Sequence, residues 1–462
     1  MLYDDTIAAI ATPPGEGGIG IVRISGRDAL RILDRVFLPV RAGAWRPYRM
    51  RYGRVVDHAG VTVDEALAVF MRRPHSFTAE DAAEISVHGG PLVLERVLQL
   101  VLAAGARAAN PGEFTMRAFL NGRIDLAQAE ATLDIITART TAALALAEAQ
   151  LGGWLSGELR RVREQLLGPL AYCTALVDFP EDEVEPQDVV SPLAAALHAL
   201  DALVATAQQG IIYRQGARAT LVGRPNAGKS SLLNALLRVD RAIVTPIPGT
   251  TRDTLEETAN LGGVPVVLTD TAGIVETDDP VERIGVTRSR QALSAADLVL
   301  MVVDASCAPT VADREIAALT EGKRVILVLN KVDLLDTSGS VSIVVRLQEY
   351  GQIRNNPFDA TVAVSALSGQ GLATLGAAVA QQLLGTVPQP DGRMVTSARH
   401  RDALARAADH VRDALSGYGH GVTPDLLAVD LTAALSAIGE VTGESVGDDL
   451  LHAIFSRFCI GK

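Results

Sequence analysis

Three textures along the chain predict its fold class. Residues 1–118 alternate short β-rich runs with two helical stretches, alanine- and leucine-rich sequence of helical period flanks residues 217–382 on both sides, and a phosphate-loop pattern opens that interval. The expected architecture is multidomain: an α+β N-terminal domain, an all-α helical domain, and an α/β P-loop domain inserted into the helical one. The expected boundaries are 1–118 for the first domain, 119–216 for the first helical part, 217–382 for the insert and 383–462 for the second helical part.

In the first domain, strands are expected over Thr6–Ala11, Ile19–Ile24, Ala66–Phe70 and Ala83–Val87, and helices near Asp28–Val36 and Pro91–Ala104. Helical sequence then runs from about Phe119 to Gln209, interrupted by Asp178-Phe179-Pro180-Glu181-Asp182-Glu183-Val184-Glu185-Pro186, an acidic turn between helices. After the linker Val387-Pro388-Gln389-Pro390-Asp391-Gly392, helical sequence resumes to the end. Neither helical block has its own partner for its apolar face, so the two are expected to pair into one bundle. No internal repeat is found.

The inserted domain carries the chemistry. Gly223-Arg224-Pro225-Asn226-Ala227-Gly228-Lys229-Ser230 fits GxxxxGK[ST] and lies between an apolar strand, Ala219–Val222, and a helix, Ser231–Leu237. Glycines let backbone N–H groups curl around phosphates, Lys229 reaches the β/γ oxygens, the Ser230 hydroxyl ligates Mg²⁺, and the helix N-terminus adds a positive field. Further along, Gly249-Thr250-Thr251-Arg252-Asp253 is a loop whose hydroxyls, Thr251 for Mg²⁺, can close over metal and γ-phosphate, and Thr245, Pro246, Ile247 and Pro248 just before it are expected to contact GTP as well. Asp270-Thr271-Ala272-Gly273 ends the strand Val264–Leu268 with a carboxylate for the metal's water shell.

The base reader follows. Asn330-Lys331-Val332-Asp333 ends the apolar strand Val325–Leu329, and Asp333 can accept hydrogen bonds from guanine N1–H and the 2-amino group. Adenine offers no donor at either place and would leave the carboxylate unpaired, at a cost on the order of a few kcal/mol, so the site selects GTP. Ser365-Ala366-Leu367 follows the strand Thr361–Val364 and backs the base. Each piece alone reads as an ordinary turn; together, in this order and each at a strand's C-terminal edge, they predict a GTPase.

Ile274 stands where Ras-like enzymes place the glutamine that orients water, and no arginine declares itself a transition-state finger, although Arg224 and Arg252 remain open. Another cation and another carboxylate are therefore expected. Asn226 with loop carbonyls between Thr245 and Thr250 suits a monovalent cation; Glu282 reads either as the group that positions water or as a solvated charge at a helix entry.

Composition sets the remaining bounds. The 462 residues hold two to four domains, with 48% hydrophobic content for their cores. No window is expected to reach the ~18 apolar residues of a membrane span. The acidic start Met1-Leu2-Tyr3-Asp4-Asp5 lacks the basic region of a signal peptide, and Cys173, Cys307 and Cys459 lie far apart with no metal or disulfide spacing, so a cytoplasmic protein with no membrane partner is expected. A net charge of −12 argues against broad nonspecific nucleic-acid binding.

Blocks outside the insert are diagnostic. Thr12-Pro13-Pro14-Gly15-Glu16-Gly17-Gly18-Ile19-Gly20 with Arg23-Ile24-Ser25-Gly26, His75-Ser76-Phe77-Thr78, His88-Gly89-Gly90-Pro91, Pro111-Gly112-Glu113-Phe114-Thr115, Arg117-Ala118-Phe119-Leu120-Asn121-Gly122 and the end Phe458-Cys459-Ile460-Gly461-Lys462 resemble the MnmE (TrmE) family of tRNA uridine-modification GTPases. The resemblance spans the chain. It implies an N-terminal folate-binding and dimerising domain and a potassium-activated G domain. The family works in a heterotetramer with an FAD-dependent partner, MnmG (GidA), which carries the FAD. Together they add an aminomethyl or carboxymethylaminomethyl group to carbon 5 of wobble uridine in certain tRNAs, with the carbon drawn from a tetrahydrofolate derivative, the 5-formyl or 5,10-methylene form. It implies K⁺ ligation by Asn226, Thr245, Ile247 and Thr250, a catalytic role for Glu282, and GTP contacts at Asn226, Ala227, Gly228, Lys229, Ser230 and Ser231.

For folate the resemblance implies Arg23, Glu80, Arg123 and Lys462. Arg123 departs from the lysine of many members, exchanging a point-like ammonium for a planar fork. Cys459 is either a small buried hydrophobe or a thiol that attacks uridine C6 or holds a one-carbon intermediate. The terminal Cys459-Ile460-Gly461-Lys462 is not read as a prenylation box, because its last residue is lysine. A ribosome-assembly or regulatory GTPase is the alternative; it calls for an RNA-binding module such as a KH domain, which is not found, or for none of the outer blocks.

Overall fold

The computed structural model describes residues 4–179, 184–239, 257–270, 292–335, 343–385 and 393–462. The chain forms two compact units: Met1–Leu133 with Leu151–Arg161 and Thr432–Lys462, and Asp134–Gln150 with Val162–Leu431.

The first unit is built on seven strands, β1 Ile7–Ile10, β2 Gly17–Ser25, β3 Phe37–Pro39, β4 Arg51–Val56, β5 Thr62–Met71, β6 Ala82–Gly89 and β7 Arg107–Ala108, in the order β3-β4-β5-β6-β2-β1-β7. All neighbours are antiparallel except β1 and β7. Side chains alternate across the pleat, so Val22 and Ile24 enter the core while Arg23 between them takes the other face. The core side is covered by the helices Ala29–Val36 and Pro91–Ala103, whose Ile32, Leu33, Leu94, Val97 and Val101 recur at helical spacing and pack with Ile85 and Ala68. Pro91 suits the first turn of its helix, where the missing N–H is no loss.

The chain terminus closes this unit. Phe455 and Phe458 pack with Leu126 and Ala129, flanked by Met116 and Phe119. The last helix, Asp448–Phe455, stops short of the terminal segment, so Cys459 and Lys462 lie beyond it rather than on a helix that continues to the end.

The second unit holds a six-stranded sheet: β8 Ala217–Val222, β9 Glu257–Leu261, β10 Val264–Asp270, β11 Leu298–Asp304, β12 Val325–Asn330 and β13 Ala360–Ala363, in the order β13-β12-β11-β8-β10-β9. Every pair is parallel except β9 with β10. Val299 to Val303 and Val325 to Leu329 are wholly buried, as strands covered on both faces must be. Parallel register sets Asp304 beside Asn330, so the polar ends of β11 and β12 share one edge with the phosphate loop that leaves β8.

Helix Val190–Gln215 runs along helix Ala398–Gly419, with Leu193, Ala196, Leu200, Leu203 and Ala207 buried at spacings of three and four residues. It corrects one expectation: by length and composition this helix is apolar enough to cross a membrane, and no other described helix is. One stripe of it is buried, and it also makes the Arg214–Asp134 ion pair at 2.7 Å and the Gln209 Nε2 bond to Leu384 O at 2.9 Å.

Candidate functional site

The phosphate loop is shaped by backbone conformations that few residues adopt. Gly223 has φ +152°, and a side chain there would collide with the Val302 carbonyl of β11, so only glycine lets the loop leave β8 this close to its neighbour. Asn226 takes φ +64° and is exposed. Lys229 opens the helix Lys229–Val239, and its Nζ donates to Gly223 O at 2.8 Å and Arg224 O at 3.0 Å. Burial pushes its ammonium pKa down, opposed by the Asp270 charge, so an anion beside it would be welcome.

Ser230 Oγ donates to Asp270 Oδ2 at 2.7 Å, while Asp270 Oδ1 is buried with no partner among the described residues. A hydroxyl joined to a carboxylate that has a spare buried oxygen is the donor set a hard, oxygen-seeking cation requires, so these residues fit Mg²⁺. Ser231, the next residue in the same turn, is exposed.

Asn330 ties the base side to the phosphate side. Its Nδ2 donates to Ala227 O at 3.0 Å and its Oδ1 accepts from Ala366 N at 3.1 Å, so the phosphate loop, β12 and the Ser365-Ala366-Leu367 turn meet at one buried amide. Lys331 adopts the left-handed conformation, φ +64°, and Asp333 follows, exposed, in the 3₁₀ turn Val332–Leu334. Ser365 is buried and its Oγ accepts from Ser368 N at 3.1 Å; Leu367 is 89% exposed. Arg224, open as a transition-state cation, is engaged elsewhere: its Nε donates to buried Asp313 at 2.8 Å and its Nη2 reaches Cys307 Sγ at 3.3 Å. Thr245, Pro246, Ile247, Pro248, Gly249, Thr250, Thr251, Thr271, Ala272, Gly273 and Glu282, with Arg252 and Ile274, lie outside the described residues.

In the N-terminal unit a second cluster forms around Phe77. Arg23 and Arg123 place their guanidinium carbons 5.8 and 5.1 Å from its ring centroid, within cation–π range. Arg23 also donates to Gly461 O at 3.2 Å and pairs with Glu84, its cross-strand neighbour, at 2.8 Å. Arg123 donates to Phe77 O at 2.9 Å. The terminal segment is seated by Gly112 N donating to Cys459 O at 3.4 Å and by Gly461, φ +95°, where a side chain would collide with the Ile10 carbonyl. Lys462 is half-buried; burial and the Arg23 charge push its ammonium pKa down. Cys459 is partly exposed, which departs from a fully buried small hydrophobe.

Glu80 lies in the same unit, held by Ser25, whose Oγ donates to it at 2.7 Å, and by Arg117 at 3.3 Å. Behind it stands a network that motif reading did not assign a role: buried Arg117 pairs with buried Glu113 at 2.9 Å and with Asp5 at 2.6 Å, and Arg107 pairs with both carboxylates. Its sequence signal was the density of charge in the Glu113 to Arg117 block, without a spacing rule to interpret it. Four of the expected residues, Arg23, Glu80, Arg123 and Lys462, are thus gathered in one unit with Cys459.

The chain is similar to known proteins over its whole length. Residues 6–123 match the family model of the GTP-binding protein TrmE N-terminus, and residues 126–459 match that of the MnmE helical domain. A protein of Roseiflexus sp. (strain RS-1) described as tRNA modification GTPase MnmE is 79% identical over 462 residues, the whole of both chains. One of the same description from Roseiflexus castenholzii is 77% identical over the whole of both chains, and one from Chloroflexus aurantiacus is 56% identical over 99% of this chain and 100% of its own.

Proposed function

The chain belongs to the MnmE family of tRNA modification GTPases, and on that premise we propose that it is a K⁺-activated GTP hydrolase that modifies carbon 5 of wobble uridine with a folate one-carbon unit and an FAD-dependent partner. Hydrolysis of GTP in the service of tRNA modification is the family's activity; cation, folate, partner and product are the proposal. The domains are proposed as 1–118, 119–216, 217–382 and 383–462, the first also mediating a homodimer, and the assembly with MnmG is proposed as a heterotetramer acting in the cytoplasm.

In the G domain, Lys229 and the loop amides hold the phosphates, Ser230 and Thr251 ligate Mg²⁺ with Asp270 behind them, and Asp333 reads guanine. The remaining GTP contacts proposed are those expected from the motifs. Asn226 with the carbonyls of Thr245, Ile247 and Thr250 holds K⁺, supplying the charge that Arg224, bound to Asp313, is not placed to give. Glu282 positions the water that Ile274 is not equipped to orient.

The observation that carries the folate reading is the convergence on Phe77: two guanidiniums at one aromatic ring, with the chain's own terminus hydrogen-bonded to one of them. Cationic forks suit the glutamate tail of a folate, an aromatic face suits its rings, and Glu80 offers a carboxylate to the N–H and amino edge of a pterin. A reduced folate supplies the one-carbon unit when bound. Arg23 holds the terminal segment that carries Cys459, and half-buried Lys462 adds a cation whose proton is more easily lost than usual.

The test deletes Cys459–Lys462 in the full-length chain. GTP hydrolysis, measured with K⁺ and again with Na⁺, is expected to persist and to be sharply faster in K⁺, while mass spectrometry of wobble nucleosides is expected to find the modification gone. Full modification without the tail sinks the active-site reading of the terminus; equal rates in the two salts sink the cation.

A further inference from the structure

Lys331 is held by a residue that lies in none of the nucleotide-binding motifs. Its Nζ sits 2.6 Å from Asp304 Oδ2, the last residue of β11, and both side chains are largely enclosed, 31% and 17% exposed. Asp304 is itself fixed: Oδ1 accepts from Ser306 N at 2.9 Å and Ser306 Oγ at 2.6 Å, and its backbone carbonyl accepts from the hydroxyl of buried Tyr350 at 3.3 Å. Burial would raise the Asp304 carboxyl, but the bonds from Lys331 and Ser306 outweigh it and hold the pKa below its ordinary value.

The placement follows from register. Asp304 lies opposite Asn330 in the parallel β11–β12 pair, and Ala305 N donates to Asn330 O at 2.9 Å, so the carboxylate stands one residue from the lysine. Lys331 turns toward it in the left-handed conformation, φ +64°, which is strained for an L-residue. The lysine stem then runs past the phosphate loop: its Cε is 3.9 Å from where a Cβ on Gly228 would stand.

We propose that Asp304 is a positioning residue for guanine-nucleotide binding: its carboxylate holds the Lys331 ammonium so that the lysine stem forms a fixed wall of the base site beside the phosphate loop. The inference rests on the reading of Asn330-Lys331-Val332-Asp333 as the base-binding segment. Asp304 touches no nucleotide atom; it acts through Lys331.

The experiment measures the affinity of the full-length chain for a fluorescent GDP and its steady-state GTP hydrolysis in Asp304→Asn, Asp304→Glu, Lys331→Ala and the Asp304→Asn/Lys331→Ala double variant. Losing a charge-assisted bond is expected to weaken GDP about tenfold in Asp304→Asn and to raise KM likewise, with kcat at saturating GTP retained. Asp304→Glu is expected to recover part of the loss, and the double variant to bind no more weakly than Lys331→Ala, since both changes break one contact. Unchanged affinity in Asp304→Asn, or losses that multiply in the double variant, overturns the proposal. Should Asp304→Asn fail to fold, Ser306→Ala loosens the same carboxylate and is expected to weaken GDP about threefold, an effect that vanishes in the Lys331→Ala background; its persistence there overturns the proposal equally. A separate arm, Asp333→Asn with XTP against GTP, tests the underlying reading. If xanthine gains there while Asp304→Asn changes nothing, the positioning role alone is wrong; if xanthine does not gain, the base-site reading is what fails.

Discussion

In the nucleotide-binding sheet, β11 and β12 bury only apolar side chains until their last residues, Asp304 and Asn330, which carry the polar chemistry at the edge. In the N-terminal unit the charges are inside. Arg117 and Glu113 are each 1% exposed and support Glu80 from behind, so the proposed folate site and the stability of the fold share the same side chains. The difference teaches where function can be altered cheaply. A strand-end site is anchored by an apolar core and can lose a side chain without loss of the sheet, whereas a site resting on the Arg117–Glu113 pair cannot be changed without disturbing two charges that are both shut off from water.

The largest expected effect is in that network. Arg117→Met leaves Glu113 and Asp5 short of a cationic partner and is expected to destabilise the first unit by about 3 kcal/mol, whereas GTP affinity in the second unit changes by less than about twofold. Two-phase denaturant unfolding with a nucleotide-binding assay checks both halves, and a matching fall in GTP affinity breaks the comparison.

Asp333→Asn is the complementary case. It is expected to cost GTP about 2 kcal/mol of binding and to favour xanthine nucleotides, because an amide presents a donor to the carbonyl that xanthine has in place of the guanine amino group. Unfolding of either unit is expected to stay at its wild-type midpoint, since Asp333 is exposed. A drop in thermal stability would show that strand-end residues also support the fold.

A smaller effect is expected from Gly461→Ala, which places a β-carbon at φ +95° against the Ile10 carbonyl. The strain is about 1–2 kcal/mol and is local to the tail, so Cys459 should react faster with a thiol reagent while both units unfold as before. Unchanged thiol reactivity would show that the tail is not seated by this glycine.

The gentlest probe is acid. Burial would raise the Glu113 carboxyl, but Arg107, the Asn110 amide and Arg117 hold it below its ordinary value, and Asp5 is likewise lowered by Arg107 and Arg117 against burial. A carboxylate with a depressed folded pKa stabilises the fold above the unfolded value, near pH 4, and that stability is lost as pH falls through the folded value. The first unit is therefore expected to lose stability on acidification below about pH 5, and Arg107→Gln to flatten that loss. An acid profile that Arg107→Gln leaves untouched would remove the network from the account.

Motif and periodicity made much of this legible. The strand-to-helix placement of Gly223 to Ser230, the strands ending at Asp270 and Asn330, and the strands Ile7–Ile10, Gly17–Ser25, Thr62–Met71 and Ala82–Gly89 of the N-terminal sheet follow from local patterns, and the structure places them within a few residues, whereas the six-residue strand Arg51–Val56 was not expected. What escaped was whatever lacked a local marker. β11 is an apolar run with no motif, although its position in the centre of the sheet makes it the neighbour of both β8 and β12. The short strands Phe37–Pro39 and Arg107–Ala108 exist only because longer neighbours pair with them. Asp304 and Glu84 carry no recognisable spacing to Lys331 and Arg23; they meet through β-register.

By itself the amino-acid sequence determined the fold class and the family, because glycine-dependent loops, strand-end motifs and the outer blocks are written in contiguous residues whose chemistry is local. Only the tertiary structure decided which charges became partners. It brought the terminus to Arg23, Arg123 to Phe77, and Asp313 to Arg224, pairs separated by 438, 46 and 89 residues. The reason is physical: backbone preference acts over a few residues, but the partner of a buried charge is whatever packing delivers to it, and that is settled by how sheets and helices close over their apolar faces.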